Sequence, residues 1–211
     1  MRLFVAIEPP EDAVEHLDEF LAVRREAGPQ LRWASPARWH LTLAFMGSAP
    51  ERMVEDVVDV VAAVAGRTAP LSLSLAAGGC FPDVSRAKVL WAGVAGAERA
   101  DGADGRGGGD GPEGADGSDG ADVERLGRLA RNVRSACAVA GAAPEGGPFL
   151  PHLTLGRFSR PQDATRWVRV LTTYAGPPWV ASDVAVVASH LPRERGHGPR
   201  HEVLARAALA G

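Results

Sequence analysis

Cysteine is scarce in this chain of 211 residues, and its two copies, Cys80 and Cys137, lie far apart. Disulfide-stapled secreted domains and cysteine-based zinc clusters need more cysteines at closer spacing, such as CxxC pairs. The sequence therefore argues against both classes. We expect reduced thiols, no metal and no other cofactor in a cytoplasmic protein.

Long apolar runs are also absent. The N-terminal run from Leu3 to Ile7 closes at Glu8 and is too short for a signal peptide. No other segment approaches the roughly 18 apolar residues that a membrane-spanning helix requires. The sequence therefore predicts no membrane partner.

Basic charge is not in excess, because 23 Lys and Arg stand against 26 Asp and Glu, for a net charge of -3. Such a chain has no broad positive surface for holding long nucleic acids without sequence preference. This argues against a processive or genome-scanning protein, but it allows a pocket for one RNA terminus. The hydrophobic content of 45% is that of a folded globule, and we expect a monomer with no obligatory protein partner.

Residues 96–122 consist almost entirely of Gly, Ala and Asp, without a large apolar side chain. Such a segment cannot bury enough surface to offset the entropy lost on ordering it. We predict a flexible surface insertion within a single domain that spans residues 1–211. Its glycines do not indicate a phosphate-binding loop, because no strand–Gly–Lys–Ser/Thr–helix context surrounds them.

Apolar periodicity predicts strands and helices on both sides of this insertion. Helices are predicted after Pro10, after Pro50, over 123–139 and over 163–174. Strands are predicted over 3–7, 31–34, 39–46, 71–75, 87–94, 150–158, 184–191 and 202–208.

A His-x-Thr sequence occurs twice, each time on a predicted strand that a turn and a helix follow. The copies are His40-Leu41-Thr42-Leu43 and His152-Leu153-Thr154-Leu155. With six histidines and six threonines in the chain, chance alone gives about 0.2 matches. Residues i and i+2 of a strand share a face, so each strand would bury its leucines and present an imidazole beside a hydroxyl. The repeat indicates a shared site on two related lobes.

Two histidines on separate strands suit the hydrolysis of a cyclic phosphodiester. This reaction needs a base that takes a proton from water and an acid that protonates the leaving ribose oxygen, on opposite sides of the phosphate. An imidazole with a pKa of about 6.5 populates both protonation states near neutrality. The hydroxyls of Thr42 and Thr154 are candidate donors to the phosphate oxygens.

Arg157 is a further candidate for substrate binding, through a charge-assisted contact with the phosphate. Its odd spacing from Thr154 would make it face away on a regular strand. A bulge at Gly156 would redirect it toward the histidines. The alternative is an ordinary surface salt bridge.

These residues resemble the RNA 2′,3′-cyclic phosphodiesterase family of the 2H phosphoesterase superfamily, which is named for its two His-x-Thr-x motifs. The likeness covers nearly the whole chain. It includes the opening strand Arg2 to Ala6, the Arg32-Trp33 pair, Phe81-Pro82 and the segment Pro148 to Arg157.

The resemblance implies a bilobal α+β fold, in which two antiparallel sheets line a central cleft and helices lie outside. It also implies metal-independent hydrolysis of 2′,3′-cyclic phosphates, on RNA ends or nucleotides, to 2′-phosphomonoesters. His40 would donate a proton to the leaving 3′ oxygen, and His152 would accept one from water, although the two motifs alone are too alike to assign these roles. Two alternatives stay open, namely reversible 2′-5′ RNA ligation and non-catalytic binding of RNA ends.

Other residues receive simpler interpretations. His190, His197 and His201 have no zinc-ligand spacing, and we predict that they lie in a solvated turn. Trp33 is a candidate for stacking on a base, whereas core packing is favoured for Trp91.

Overall fold

The computed structural model describes residues 1–25, 31–97, 118–191 and 199–211. Among these residues, no helix is both long and apolar enough to cross a bilayer. In chain order the elements are β1 (Arg2–Ile7), α1 (Glu11–Arg25), β2 (Leu31–Trp33), β3 (Leu41–Met46), α2 (Val54–Ala65), β4 (Leu71–Phe81), β5 (Ala87–Gly96), α3 (Ser118–Val139), β6 (His152–Gln162), α4 (Thr165–Leu171), β7 (Ala175–Ala181), β8 (Asp183–His190) and β9 (Arg200–Ala208).

The strands form a curled antiparallel sheet in the order β7-β4-β5-β6-β3-β1-β8-β9, with β2 paired to β6. The sheet has two halves, and they meet where Leu41 of β3 pairs with Leu153 of β6. The predicted α+β class with antiparallel strands is confirmed. The two lobes nevertheless share one continuous sheet, because that single bridge joins the sheets that were expected to be separate.

The main core lies on the face of the sheet against which all four helices pack. Leucines of both His-x-Thr strands are fully buried there, as the period-2 pattern predicts: Leu41, Leu43, Leu153 and Leu155. Burial of each leucine contributes about 1.5–3 kcal/mol. The opposite face carries a smaller apolar cluster of strand residues: Phe4, Ala6, Ala185 and Val187, with Phe45 beside them.

Strand β7 is an element that the sequence patterns do not predict. The pair Pro177-Pro178 indicates a break, and the helix predicted over 163–174 covers only Thr165–Leu171. β7 is an edge strand, however, and it pairs with β4 alone. Proline is tolerated on such a strand, because its missing N–H can face away from the ladder.

Helix α3 begins at Ser118, so residues 118–122 do not belong to the insertion predicted over 96–122. The reason is Asp122, whose buried carboxylate accepts a hydrogen bond from the Ser72 backbone N–H at 2.8 Å and pairs with Arg125. These bonds tie the first turns of α3 to the start of β4. At the other end of the predicted insertion, Gly96 is the last residue of β5. Residues 98–117 lie outside the described residues.

Candidate active site

The bridge between the central leucines places the two His-x-Thr motifs side by side. One residue away from it, the antiparallel register puts His40 opposite Thr154 and Thr42 opposite His152. Because the leucines point into the helix-covered core, these four polar side chains project from the other face, hereafter the histidine face. The two histidines are diagonal neighbours, typically about 7–8 Å apart. The register thus brings both imidazoles to one face, on either side of the bridge.

Both imidazoles are held by the same kind of hydrogen bond. Nδ1 of His40 lies 2.7 Å from the carbonyl oxygen of Arg38, and Nδ1 of His152 lies 2.8 Å from that of Leu150. A carbonyl oxygen can only accept, so each Nδ1 carries the proton and donates it. Nε2 of each ring is therefore the atom available for proton exchange with a substrate.

Aromatic side chains orient the two rings. His40 stacks on Phe4 with ring centroids 4.6 Å apart and an interplanar angle of 20°. His152 contacts Phe81 edge-on at 5.0 Å and lies 6.1 Å from Trp91. These contacts restrict the direction in which each Nε2 points.

His40 has an environment that favours the neutral ring. Burial lowers the pKa of His40, and the hydrogen bond with the Arg38 carbonyl opposes this effect. The imidazoles of His201 and His152 lower this pKa further, whereas the carboxylate of Glu8 raises it. His201 lies edge-on to His40, with ring centroids 5.5 Å apart. In the unliganded protein, His40 is therefore mainly neutral at pH 7.

We expect His40 to titrate below 6.5 and the substitution His201→Phe to raise its pKa. Phenylalanine keeps an aromatic ring beside His40 but removes the charge that disfavours the His40 imidazolium. NMR titration of the imidazole protons measures both values. His190→Phe is the control, since His190 contacts Glu202 rather than His40. An unchanged His40 titration in His201→Phe would contradict the expectation.

A bulge in β6 turns Arg157 toward the histidine face. The pairing of β6 with β5 shifts between Thr154 and Gly156, which leaves Leu155 as the extra residue. Beyond this bulge, Arg157 lies opposite Val89 and on the same face as Thr154. The bulge that was predicted at Gly156 is thus found at Leu155, and it turns Arg157 toward the histidine face.

Arg32 joins Arg157 on the histidine face, because the two residues lie directly opposite each other in the pairing of β2 with β6. Both are exposed, and neither has an ion-pair partner among the described residues. Like charges directly opposite each other destabilise a sheet, so this pair is suited to binding an anion. Arg32 is absent from the predicted site, although its polar position between Leu31 and Trp33 is the signal that marks an outward-facing strand residue.

The sequence profile of the family described as LigT like Phosphoesterase matches residues 7–91 and 120–196, which is more than half of the chain. The chain belongs to this family. The predicted recognition of a 2H phosphoesterase is therefore confirmed.

Two curated relatives of this LigT-like phosphoesterase are RNA 2′,3′-cyclic phosphodiesterases. The one from Geobacillus stearothermophilus is 31% identical over 91 residues, which cover 43% of this chain and 29% of the relative. The one from Aquifex aeolicus is 33% identical over 64 residues, which cover 30% of this chain and 34% of the relative. The chain thus spans about a third of the length of these relatives.

Two solved structures share the fold along the whole chain. The protein TT0787 of Thermus thermophilus has a TM-score of 0.70 at 25% identity and covers 100% of this chain and 99% of its own. The apo form of E. coli LigT has a TM-score of 0.68 at 23% identity and covers 100% and 98%.

Two tryptophans of this LigT-like phosphoesterase have environments opposite to those predicted. Trp91 lies beside His152, over Gly79, where an added Cβ would come within 2.5 Å of the indole. Trp33 instead packs against the core and contacts Trp167 edge-on, with centroids 5.3 Å apart. The core packing predicted for Trp91 is therefore wrong, and it is found for Trp33 instead.

The C-terminal histidines do not share a solvated turn. His190 ends β8 with its Nε2 3.0 Å from a carboxylate oxygen of Glu202, and His201 lies on β9 beside His40. His197 lies outside the described residues. In the described part of the chain, no group of three His, Cys, Asp or Glu side chains is arranged to hold a metal ion.

Proposed function

We propose that this LigT-like phosphoesterase hydrolyses 2′,3′-cyclic phosphates on RNA ends or nucleotides to 2′-phosphomonoesters. The observation that carries the proposal is the pair of imidazoles on either side of one strand bridge, each with Nδ1 bonded to a carbonyl and Nε2 left for proton exchange. The names of the curated relatives support the choice of substrate.

His152 is the proton acceptor and His40 the proton donor in this reaction. Nε2 of His152 takes a proton from a water molecule as the water oxygen bonds to phosphorus. The bond between phosphorus and the 3′ oxygen breaks, and Nε2 of His40 protonates that oxygen. The products are a 2′-phosphomonoester and a 3′-hydroxyl, and both rings then exchange a proton with solvent. Side chains supply both proton transfers, so no metal is required.

The threonines and the arginine bind the phosphate. The hydroxyls of Thr42 and Thr154 donate to the non-bridging oxygens, whose charge grows as water attacks. Arg157 adds a charged contact from the same face, next to Arg32. These contacts hold the phosphorus between the two Nε2 atoms, as an in-line displacement requires.

The lowered pKa of His40 is compatible with its role as the donor. An imidazolium of lower pKa is a stronger acid and gives its proton to the leaving oxygen more readily. The substrate phosphate is an anion, and its charge favours the protonated ring and raises the pKa of His40 on binding. Substrate binding thus favours the protonated form of His40, which is the form that can donate a proton.

Incubation with a 2′,3′-cyclic nucleotide is expected to give the 2′-phosphomonoester at a rate that EDTA does not change. Phosphorus NMR or chromatography against both monophosphate standards identifies the product. A 3′-phosphate product would contradict the assignment of the 3′ oxygen as the leaving group. A rate abolished by EDTA and restored by a divalent metal would contradict the two-histidine mechanism.

Adding an RNA partner that carries a 5′-hydroxyl to this incubation separates the two alternative functions. A 2′-5′ RNA ligase would join a cyclic-phosphate end to a partner with a 5′-hydroxyl and yield a 2′-5′ linkage. A non-catalytic binder would hold the nucleotide without releasing either monophosphate. Two imidazoles whose Nδ1 atoms are bonded to carbonyls, with Nε2 available for proton exchange, favour hydrolysis over binding alone.

A further inference from the structure

A groove of about 750 Å³ lies between α3 and the segment that leads into β6. One wall carries Arg128, Arg131 and Arg134, which follow one another at three-residue intervals along the helix. The other wall is formed by residues of the segment 147–151. At about 1.5 Å per residue, the outer arginines are separated by about 9 Å along the helix axis. We call this feature the arginine groove.

The charge of the arginine groove is not balanced within the part of the chain that the structure describes. Arg128 and Arg131 are exposed and have no ion-pair partner among the described residues. Arg125, one turn earlier and outside the groove, is instead paired with Asp122. The described lining contains three arginines and one acidic residue, Glu124. The groove is therefore electropositive in a chain whose net charge is -3.

The lining of the arginine groove includes the residue that precedes β6. Pro151 belongs to its lining and directly precedes His152. The carbonyl of Leu150, one residue further back, accepts the Nδ1 hydrogen bond of His152. Arg134 steadies the same segment by donating to the carbonyl oxygens of Glu145 and Gly146 at 3.3 and 3.1 Å. A polymer bound in the groove would thus contact the segment that leads into the motif containing His152.

We propose that the arginine groove binds backbone phosphates of an RNA strand whose cyclic end occupies the histidine site. This inference rests on the proposed function. Arginine pairs with phosphate through two parallel hydrogen bonds, and a positive groove with an aromatic residue is how proteins commonly hold single-stranded nucleic acid. Phe149 supplies an aromatic ring to the groove lining. Binding in the groove would make the end of an RNA strand a better substrate than a single nucleotide.

Kinetics on two substrates test the groove in the double variant Arg128→Gln/Arg131→Gln. Glutamine keeps the helix propensity of arginine, so α3 should form normally. We expect KM for an oligoribonucleotide with a 2′,3′-cyclic end to rise about 10-fold, and the slope of log KM against log salt concentration to fall by about 0.7 for each lost contact. The kcat/KM of the variant for a 2′,3′-cyclic mononucleotide should stay within about twofold of the wild-type value, because this substrate does not reach the groove.

The matched control is Arg166→Gln/Arg169→Gln on α4. These arginines have the same spacing and exposure but lie outside the groove. An equal loss in this control would mean that overall charge, not the groove, attracts RNA, and would overturn the proposal. An unchanged KM and salt slope in the α3 variant would overturn it as well.

Direct binding separates this inference from the proposed function. Fluorescence anisotropy of a labelled oligoribonucleotide with a 2′,3′-cyclic end reports groove binding whether or not turnover occurs. If the wild-type protein hydrolyses no cyclic nucleotide, the proposed function fails, and weaker RNA binding by the α3 variant still supports the groove. Poly-glutamate binding that depends on Arg128 and Arg131, with RNA binding unaffected, would assign the groove to an acidic protein segment and overturn the proposal.

Discussion

Replacing His152 or His40 with alanine is expected to lower kcat for a 2′,3′-cyclic nucleotide by about 10²–10⁴-fold. Each variant loses one of the two proton transfers. A factor of this size corresponds to about 3–5.5 kcal/mol in the activation free energy. Initial rates at saturating substrate measure the effect.

The two substitutions should not be additive. Because both groups act on one displacement, kcat of the double variant is expected to be only slightly lower than kcat of the less active single variant. His190→Ala is the control, since this imidazole contacts Glu202 and not the site. Near-normal turnover in either single variant, with the fold intact by circular dichroism, would rule out the acid–base pair.

The substitution Leu153→Ala is expected to reduce the free energy of unfolding by about 2–5 kcal/mol. Leu153 is fully buried and pairs with Leu41 at the bridge where the two halves of the sheet meet. Alanine removes apolar contacts and leaves a cavity at this joint, so the two motifs lose their common support. Urea denaturation measures the loss in the free energy of unfolding.

Leu191→Ala is the matched control for this change, because Leu191 is 60% exposed. Its effect should stay within about 0.5 kcal/mol. We also expect kcat/KM of Leu153→Ala to fall under conditions in which the variant is fully folded, since a small displacement of either imidazole disturbs the in-line arrangement. Full activity in a strongly destabilised variant would mean that the joint supports the fold but not the site.

The strands that carry the two motifs are predictable because their signal is local. Alternation of leucine with polar residues depends only on the strand's own period of two, so it predicts both β3 and β6 and the face that each histidine occupies. Strand β7 has no such signal. Whether Pro177 and Pro178 are tolerated depends on β7 lying at the edge of the sheet, and that position is a property of the whole fold.

The direction of Arg157 shows the same limit within one strand. Its spacing from Thr154 predicts that it faces away, and the bulge at Leu155 reverses that outcome. β6 pairs with β5 on one side and with β2 on the other, and Arg157 takes part in both pairings. Arg32 and His201 join the site for a comparable reason, since each is brought there by the pairing of its own strand with a neighbour.

The amino-acid pattern alone identifies the candidate reactive groups of this protein, two imidazoles and two hydroxyls, and the side of each strand on which they lie. The fold decides that the two motifs meet at a single leucine pair, that aromatic rings orient both histidines, and that two arginines share their face. The physical reason is the distance along the chain over which each interaction acts. The side-chain period of a strand is set by its own backbone, whereas pairing register is set by packing between residues that are distant in the chain.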